Sequence, residues 1–200
     1  MTEHYFSEVP GGELDPREIT VELAGNTHSL LTAGGVFSPE HLDQGTKALL
    51  RAVADEPAPE GALLDLGCGW GPIALSAALT HPETEVWAVD INDRARTLAA
   101  INAERLGLTN VRVAAPDEVP EHLLFAAIHS NPPIRVGKQA LHKMLQHWLP
   151  RLTQRGSAHL VVAKHLGAES LQKWIASQFT DLTVSRVARE KGFHVIRAAR

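Results

Sequence analysis

The segment Leu63-Leu-Asp-Leu-Gly-Cys-Gly-Trp-Gly-Pro72, followed nineteen residues after Gly71 by the carboxylate of Asp90, leaves this chain few folds to adopt. An apolar run of strand length ends in three alternating glycines. It then passes directly into a helix whose first residue is Pro72, where the missing proline N–H costs nothing. Gly67, Gly69 and Gly71 remove the Cβ atoms that would hold a ligand off the backbone, and the helix start presents unpaired N–H groups. A second strand, Val86-Trp-Ala-Val, delivers Asp90 to the crevice where such sheets bind nucleosides. A carboxylate there accepts hydrogen bonds from ribose hydroxyls.

From Gly61 onward, apolar runs of strand length alternate with segments of helical period, the pattern of βαβ units around a parallel sheet. Strands are expected over 62–66, 85–90, 110–114, 124–130, 157–164, 182–187 and 193–198, several apolar throughout, as strands covered on both faces are. Helical stripes run through Ala95, Leu98, Ala99 and Leu106, through Leu141, Leu145, Trp148 and Leu149, and through Leu171, Trp174 and Ile175. The tryptophans read as helix packing. Lys191-Gly192 leaves no room for a helix between the last two strands, which must therefore run antiparallel. The expected fold is α/β, a Rossmann-like seven-stranded mostly parallel sheet with helices on both faces and an antiparallel final hairpin. Residues 1–60 read as an amino-terminal extension packed on a core of residues 61–200. Within it, 18–23 and 28–32 flank Gly25-Asn26 as a hairpin, and a helix runs over 46–53 with Thr46 near its cap.

At 200 residues, 44% hydrophobic and 21% charged, the chain is long enough to bury roughly 70% of its unfolded surface, and disorder is excluded. No stretch approaches the ~18 apolar residues of a membrane span, and the first ten residues carry no targeting signal, so a cytoplasmic location is expected. A single cysteine, Cys68, excludes intramolecular disulfides and multi-cysteine clusters. The eleven histidines form no HExxH pair and none stands beside carboxylates at metal spacing, so no metal is expected. The net charge of -4 hides an asymmetry. Residues 1–60 hold eleven acidic and three basic side chains, whereas residues 131–200 hold three acidic and twelve basic ones. The carboxyl-terminal half can thus offer a basic face to a polyanion, or simply a solvated surface.

The glycine pattern G-x-G-x-G with Asp65 two residues ahead favours S-adenosylmethionine over a dinucleotide. A dinucleotide loop must approach a pyrophosphate, whereas the sulfonium cofactor carries an ammonium group that a carboxylate such as Asp65 suits. Cys68 lacks a neighbouring base and reads as a small spacer in the cofactor loop rather than a nucleophile. These residues resemble class I S-adenosylmethionine-dependent methyltransferases over residues 61–200. The resemblance implies that Ile91 packs on the adenine and Asp117 contacts its amino edge.

At the end of the fourth strand of that core, Ser130-Asn-Pro-Pro-Ile134 sits at the carboxyl edge of the sheet, facing the cofactor crevice. Prolines fix φ and donate no N–H, so the Asn131 side-chain oxygen and the Pro132 carbonyl form a rigid pair of acceptors suited to an amino group. Asn131, Pro132, Pro133 and Ile134 resemble the N-P-P-[YFWI] motif of methyltransferases acting on amino nitrogens. Ile134 stands where adenine-N6 enzymes carry a stacking aromatic, which argues against adenine.

Together with Gly35-Val-Phe-Ser38 and Leu42-Asp-Gln-Gly-Thr46, the segment from Ser130 to Lys138 resembles the methyltransferase small domain family. That family includes ribosomal RNA small-subunit methyltransferases of the C type, which make N2-methylguanosine. The resemblance implies that Phe37 and Ser38 close over cofactor and substrate and that Thr46 lies near the methionine end. Arg135 and Lys138 suit phosphate contacts beside an everted nucleotide, or belong to a solvated loop. The sequence departs from the family at Ala126, where an acid is usual, and the additional amino-terminal domain of larger members is not expected here. RNA, specifically ribosomal RNA or the small subunit, is the expected partner. A protein glutamine amide, a small amine, and a non-catalytic S-adenosylmethionine-binding module stay open as alternatives.

Overall fold

A computed structural model describes residues 14–200. Residues 1–13 of the expected extension lie outside the described residues. The hairpin of β1 (Pro16–Leu23) and β2 (Asn26–Ala33) turns at Ala24-Gly25, both at positive φ, rather than at Gly25-Asn26. Two successive positive-φ residues give the tight turn whose twist matches its strands. α1 (Gln44–Ala52) begins at Asp43, whose carboxylate accepts from the N–H groups of Gly45 and Thr46. The cap is therefore Asp43, and Thr46 lies inside the first turn, because an aspartate ahead of the helix satisfies two of its orphan donors.

The remaining elements alternate as the apolar pattern requires: β3 (Leu63–Leu66), α2 (Pro72–Thr80), β4 (Val86–Val89), α3 (Asp93–Arg105), β5 (Val111–Ala114), β6 (Phe125–Ser130), α4 (Lys138–Trp148), β7 (Leu152–Ala163), α5 (Ala168–Gln178), β8 (Thr183–Glu190) and β9 (Phe193–Ala199). Seven of these strands form one sheet in the order β5-β4-β3-β6-β7-β9-β8. Pairing is parallel from β5 to β7 and antiparallel at β7–β9 and β9–β8. The chain runs outward from β3 to β5 and then returns to place β6 on the other side of β3. That reversal opens the crevice in which such sheets bind ligands.

β7 begins at Leu152, five residues earlier than expected, and its pairing with β6 shifts between Phe125 and Ala127. β8 continues past Val187 to Glu190 through an irregularity at Arg186/Ala188. As an edge strand it is mostly exposed, so apolar content underestimates its length.

Helices cover both faces. Leu64, Leu66, Leu160, Val162, Ile196 and Ala198 pack with α4 and α5, while Val161 and Val195 meet Leu49 of α1 and Ile73 of α2. Trp148 is buried against Phe125, and Trp174 stacks on His142 with ring centroids 3.6 Å apart, so both tryptophans join α4 and α5 to the core. The hairpin has no core of its own: Val21, Leu23 and Leu30 share a cluster with Trp70, Leu75, Ala95 and Leu98. Each such leucine taken fully from water contributes about 1.5–3 kcal/mol. Asn102, fully buried on α3, pins the hairpin further by accepting from Leu31 N–H and donating to the carbonyls of Leu31 and Trp70.

Candidate active site

β3 and β6 are neighbours, so the loops leaving their carboxyl ends meet at the switch point of the sheet. The loop after β3 is held open by glycine. Gly67 (φ 77°), Gly69 (φ 56°) and Gly71 (φ 97°) are all left-handed. A Cβ on Gly71 would meet Ala99 and Leu75 at 3.3 Å, so packing as well as backbone conformation demands glycine there. Around Gly69 nothing lies within 4 Å of a Cβ position, which leaves that side of the loop open for a ligand to approach the backbone.

Asp90 stands one residue beyond β4. Its Oδ2 accepts from Gly69 N–H and its Oδ1 from Asn92 N–H, each at 2.9 Å. Burial raises its pKa above the ordinary value, only partly opposed by these donors and by Arg96. Each oxygen retains a lone pair for a hydroxyl donor. The neighbouring Ile91 is 46% exposed, an apolar side chain left in solvent at the crevice edge. Open glycine backbone, a carboxylate with spare acceptor capacity and an exposed aliphatic face fit the phosphate-free nucleoside of S-adenosylmethionine. Asp117 is exposed in the loop after β5.

Asp65 is fully buried beneath the loop, with Oδ2 accepting from Ala74 N–H of α2 at 2.9 Å and Oδ1 unpartnered. It exposes no surface in this structure and joins the end of β3 to the first turn of α2 behind the loop. Burial, partly opposed by the Ala74 N–H and reinforced by the charge of Asp90, pushes its pKa up to about 8. The Cys68 thiol is buried, and desolvation, then Asp90 and Asp65, drive its pKa well above the ordinary value. It has none of the character of a nucleophile.

Across the crevice, Asn131 is the first residue beyond β6. Its Nδ2 donates to Asp43 Oδ2 at 2.9 Å and to Thr46 Oγ1 at 3.1 Å. A carboxylate can only accept, so this contact fixes the amide orientation and commits both N–H groups. The remaining polar atom, Oδ1, is an acceptor. The backbone continues through Pro133 (φ -74°, ψ 74°), an inverse γ-turn in which Ile134 N–H donates to the Pro132 carbonyl at 2.8 Å. This bond uses one lone pair of the carbonyl and sets the direction of the other.

Ser130 is fully buried, its hydroxyl donating to the Leu66 carbonyl at 2.6 Å, which ties the two ligand-bearing strands together just below the site. Phe37 is 41% exposed, and Ser38, at φ 48°, donates from its hydroxyl to the His41 carbonyl while its own carbonyl accepts from the Trp70 indole. The structure thus brings Asn131, Thr46 and the glycine loop to one crevice. Lys138 is the exposed first residue of α4. The Arg135 side chain lies outside the described residues.

Asp43 belongs to the Leu42–Thr46 segment, yet nothing in the sequence marks it as a site residue. Asn92, which caps α3 and donates to the Gly35 carbonyl, and Asn102 also escape sequence reasoning, since their partners are distant along the chain.

The methyltransferase small domain family model matches residues 27–197. The chain belongs to the methyltransferase small domain family. It is accordingly an S-adenosylmethionine-dependent methyltransferase. This methyltransferase is 34% identical over 201 residues to the uncharacterized protein YbxB of Bacillus subtilis, covering 99% of this chain and 98% of that one. It is 30% identical over 198 residues to the ribosomal RNA small subunit methyltransferase C of Stutzerimonas stutzeri, covering 92% of this chain and 54% of the other. The methyltransferase spans about half the length of the curated ribosomal RNA enzymes it matches. Its fold is similar to a T. thermophilus 16S rRNA N2 methyltransferase solved with AdoMet and guanosine, with a TM-score of 0.78 at 22% identity over 94% of this chain and 51% of that one. Among the described residues, no helix is long and apolar enough to cross a membrane.

Proposed function

We propose that this methyltransferase methylates an exocyclic amino nitrogen in RNA, with guanine N2 of ribosomal RNA as the acceptor. The observation that carries this reading is the Asn131 amide, both of whose N–H groups are engaged by Asp43 and Thr46 at the start of α1. Its Oδ1 and the second lone pair of the Pro132 carbonyl are two fixed acceptors, and an amino group brings two N–H donors. Receiving both aligns the nitrogen lone pair for in-line attack and keeps the group oriented as positive charge develops on it. S-adenosylmethionine supplies the electrophilic methyl group. Asp90 accepts from the cofactor ribose, Ile91 covers the adenine, and Asp117 accepts from its amino edge. Gly67, Cys68, Gly69 and Gly71 form the loop under the methionine moiety, with Asp65 bracing it and Thr46 near its end.

Pro133 and Ile134 shape the wall beside the acceptor. Phe37 and Ser38 cover the substrate, and Arg135 and Lys138 contact phosphates. The aliphatic Ile134 favours guanine over a base read by aromatic stacking. Residues 1–60 are then an extension that orients Asn131, residues 61–200 are the methyltransferase core, and the enzyme works in the cytoplasm on ribosomal RNA. The names of its C-type relatives and the basic balance of residues 131–200 support RNA as partner.

The test is an Asn131→Ala protein assayed for cofactor binding and for transfer of labelled methyl to RNA. The expected result is unchanged S-adenosylmethionine affinity with transfer lowered about a hundredfold or more. Equal transfer by both proteins would remove Asn131 from the chemistry and favour a binding module.

A further inference from the structure

On the sheet face beneath α1, β6 and β7 place His129 and His159 side by side in register. Parallel neighbours stand about 4.8 Å apart with side chains on the same face, so the two imidazoles meet. Their ring centroids are 5.5 Å apart at an interplanar angle of 73°. Glu56, in the connection after α1, closes the group, its Oε1 lying 3.1 Å from His159 Nε2. His129 is 6% exposed and His159 not at all, yet His129 Nε2 and His159 Nδ1 have no hydrogen-bond partner. Interiors rarely leave buried ring nitrogens unsatisfied, and two such imidazoles beside one carboxylate ask for a common partner.

We propose that Glu56, His129 and His159 form a binding site for one divalent transition-metal ion, of which zinc is the best match. Imidazole nitrogen and carboxylate oxygen are the donors that borderline-soft cations of this kind select. At zinc–ligand distances of about 2.0–2.2 Å, tetrahedral donors stand roughly 3.4 Å apart. One ligand atom from each of the three residues lies within 4.8 Å of the others here, so small rotamer changes close the triangle. Three protein ligands leave a fourth position for water, and two of them, Glu56 and His129, line a cleft of about 870 Å³ together with Leu50, Ala126, Ser157 and Arg197. The absence of metal spacing in the sequence does not count against the site, because its ligands come from three separate segments.

The site has a structural consequence. His129 precedes Asn131 by two residues, and Glu56 belongs to the connection that leaves α1, whose first turn holds Asn131. An ion here clamps the carboxyl end of α1 to the strand that carries the amide.

The test uses the full chain, stripped by chelator and titrated with Zn²⁺ against a chromophoric competitor, alongside Co²⁺ binding followed by visible absorption. One ion per chain is expected, with the intense cobalt bands of a four- or five-coordinate site and a melting temperature raised by Zn²⁺. Glu56→Gln, at a partly exposed position, and His159→Gln should each weaken Zn²⁺ binding at least tenfold. Failure to take up one equivalent of Zn²⁺, a six-coordinate cobalt spectrum, or uptake unchanged in Glu56→Gln would overturn the site. The cobalt spectrum needs no variant and decides the matter even if His159→Gln fails to fold.

Discussion

Asn131 Nδ2 lies 2.9 Å from Asp43 Oδ2, a bond between residues 88 positions apart that joins the cap of α1 to the end of β6. The same Asp43 oxygen accepts from the N–H groups of Gly45 and Thr46, so one carboxylate starts the helix and orients the amide.

Asp43→Ala removes both functions. Loss of the cap costs about 1 kcal/mol of stability. Freedom of the Asn131 amide to rotate should lower kcat about ten- to a hundredfold while leaving the Kd for S-adenosylmethionine unchanged. Thr46→Val, which keeps the cap, should lower kcat by a smaller factor. Single-turnover assays beside cofactor titrations separate these effects; an unchanged kcat with reduced stability would make Asp43 a cap and nothing more.

Gly71 and Gly69 should answer substitution differently. Gly71→Ala combines left-handed φ with a Cβ 3.3 Å from Ala99 and Leu75, and should cost roughly 1–3 kcal/mol in denaturant unfolding. Gly69→Asn meets open space and a conformation asparagine tolerates, so stability should change little while S-adenosylmethionine affinity falls at least tenfold. Full cofactor affinity in Gly69→Asn would mean that the ligand does not approach this side of the loop.

Asp65 gives stability a defined pH dependence. Its folded pKa is raised to about 8 from 3.8. Between those values the unfolded chain has lost a proton the folded chain keeps, so this residue lowers stability as pH rises, by up to about 1.4 kcal/mol per unit. Its contribution is flat below and above that window. Asp65→Asn keeps an acceptor for Ala74 N–H and removes the titration. The stability of wild type relative to this variant should therefore fall between about pH 4 and pH 8. Parallel pH profiles for the two proteins would refute the assignment.

Asn102→Leu replaces a fully buried amide with an apolar group of similar size. It leaves the Leu31 N–H and the carbonyls of Leu31 and Trp70 without this partner. The expected loss is about 2–4 kcal/mol, read from urea unfolding. Weaker cofactor binding should accompany it, because Trp70 lies within the glycine loop. A loss below about 0.5 kcal/mol would show that water replaces the amide without cost.

Neutralising Arg135 and Lys138 should weaken RNA binding uniformly across sequences and reduce its salt dependence by about one unit of slope for each phosphate no longer neutralised. Filter binding over a range of salt concentrations measures both. Unchanged affinity and slope would remove this loop from the RNA surface.

Much of the fold is legible in the sequence because its strands are buried on both faces and its glycine loop has one structural use. Lys191-Gly192 alone is enough to reverse the last strand. What stays hidden depends on distance in sequence. Asp43 lies 88 residues from the amide it holds, and the complete burial of Asp65 follows from the packing of α2 over β3, which local sequence does not display. Glu56, His129 and His159 share no local spacing, since a sheet register brings two of them together and a connecting loop brings the third. The exposed end of β8 is hidden for a different reason: an edge strand needs little apolar content.

Methyl transfer to guanine N2 is tested most directly by nucleoside mass spectrometry on RNA from cells lacking this gene, after incubation with the purified protein and isotopically labelled S-adenosylmethionine. Labelled N2-methylguanosine in ribosomal RNA is the expected product. Label in N6-methyladenosine, or in protein and not RNA, would contradict guanine N2 as the acceptor.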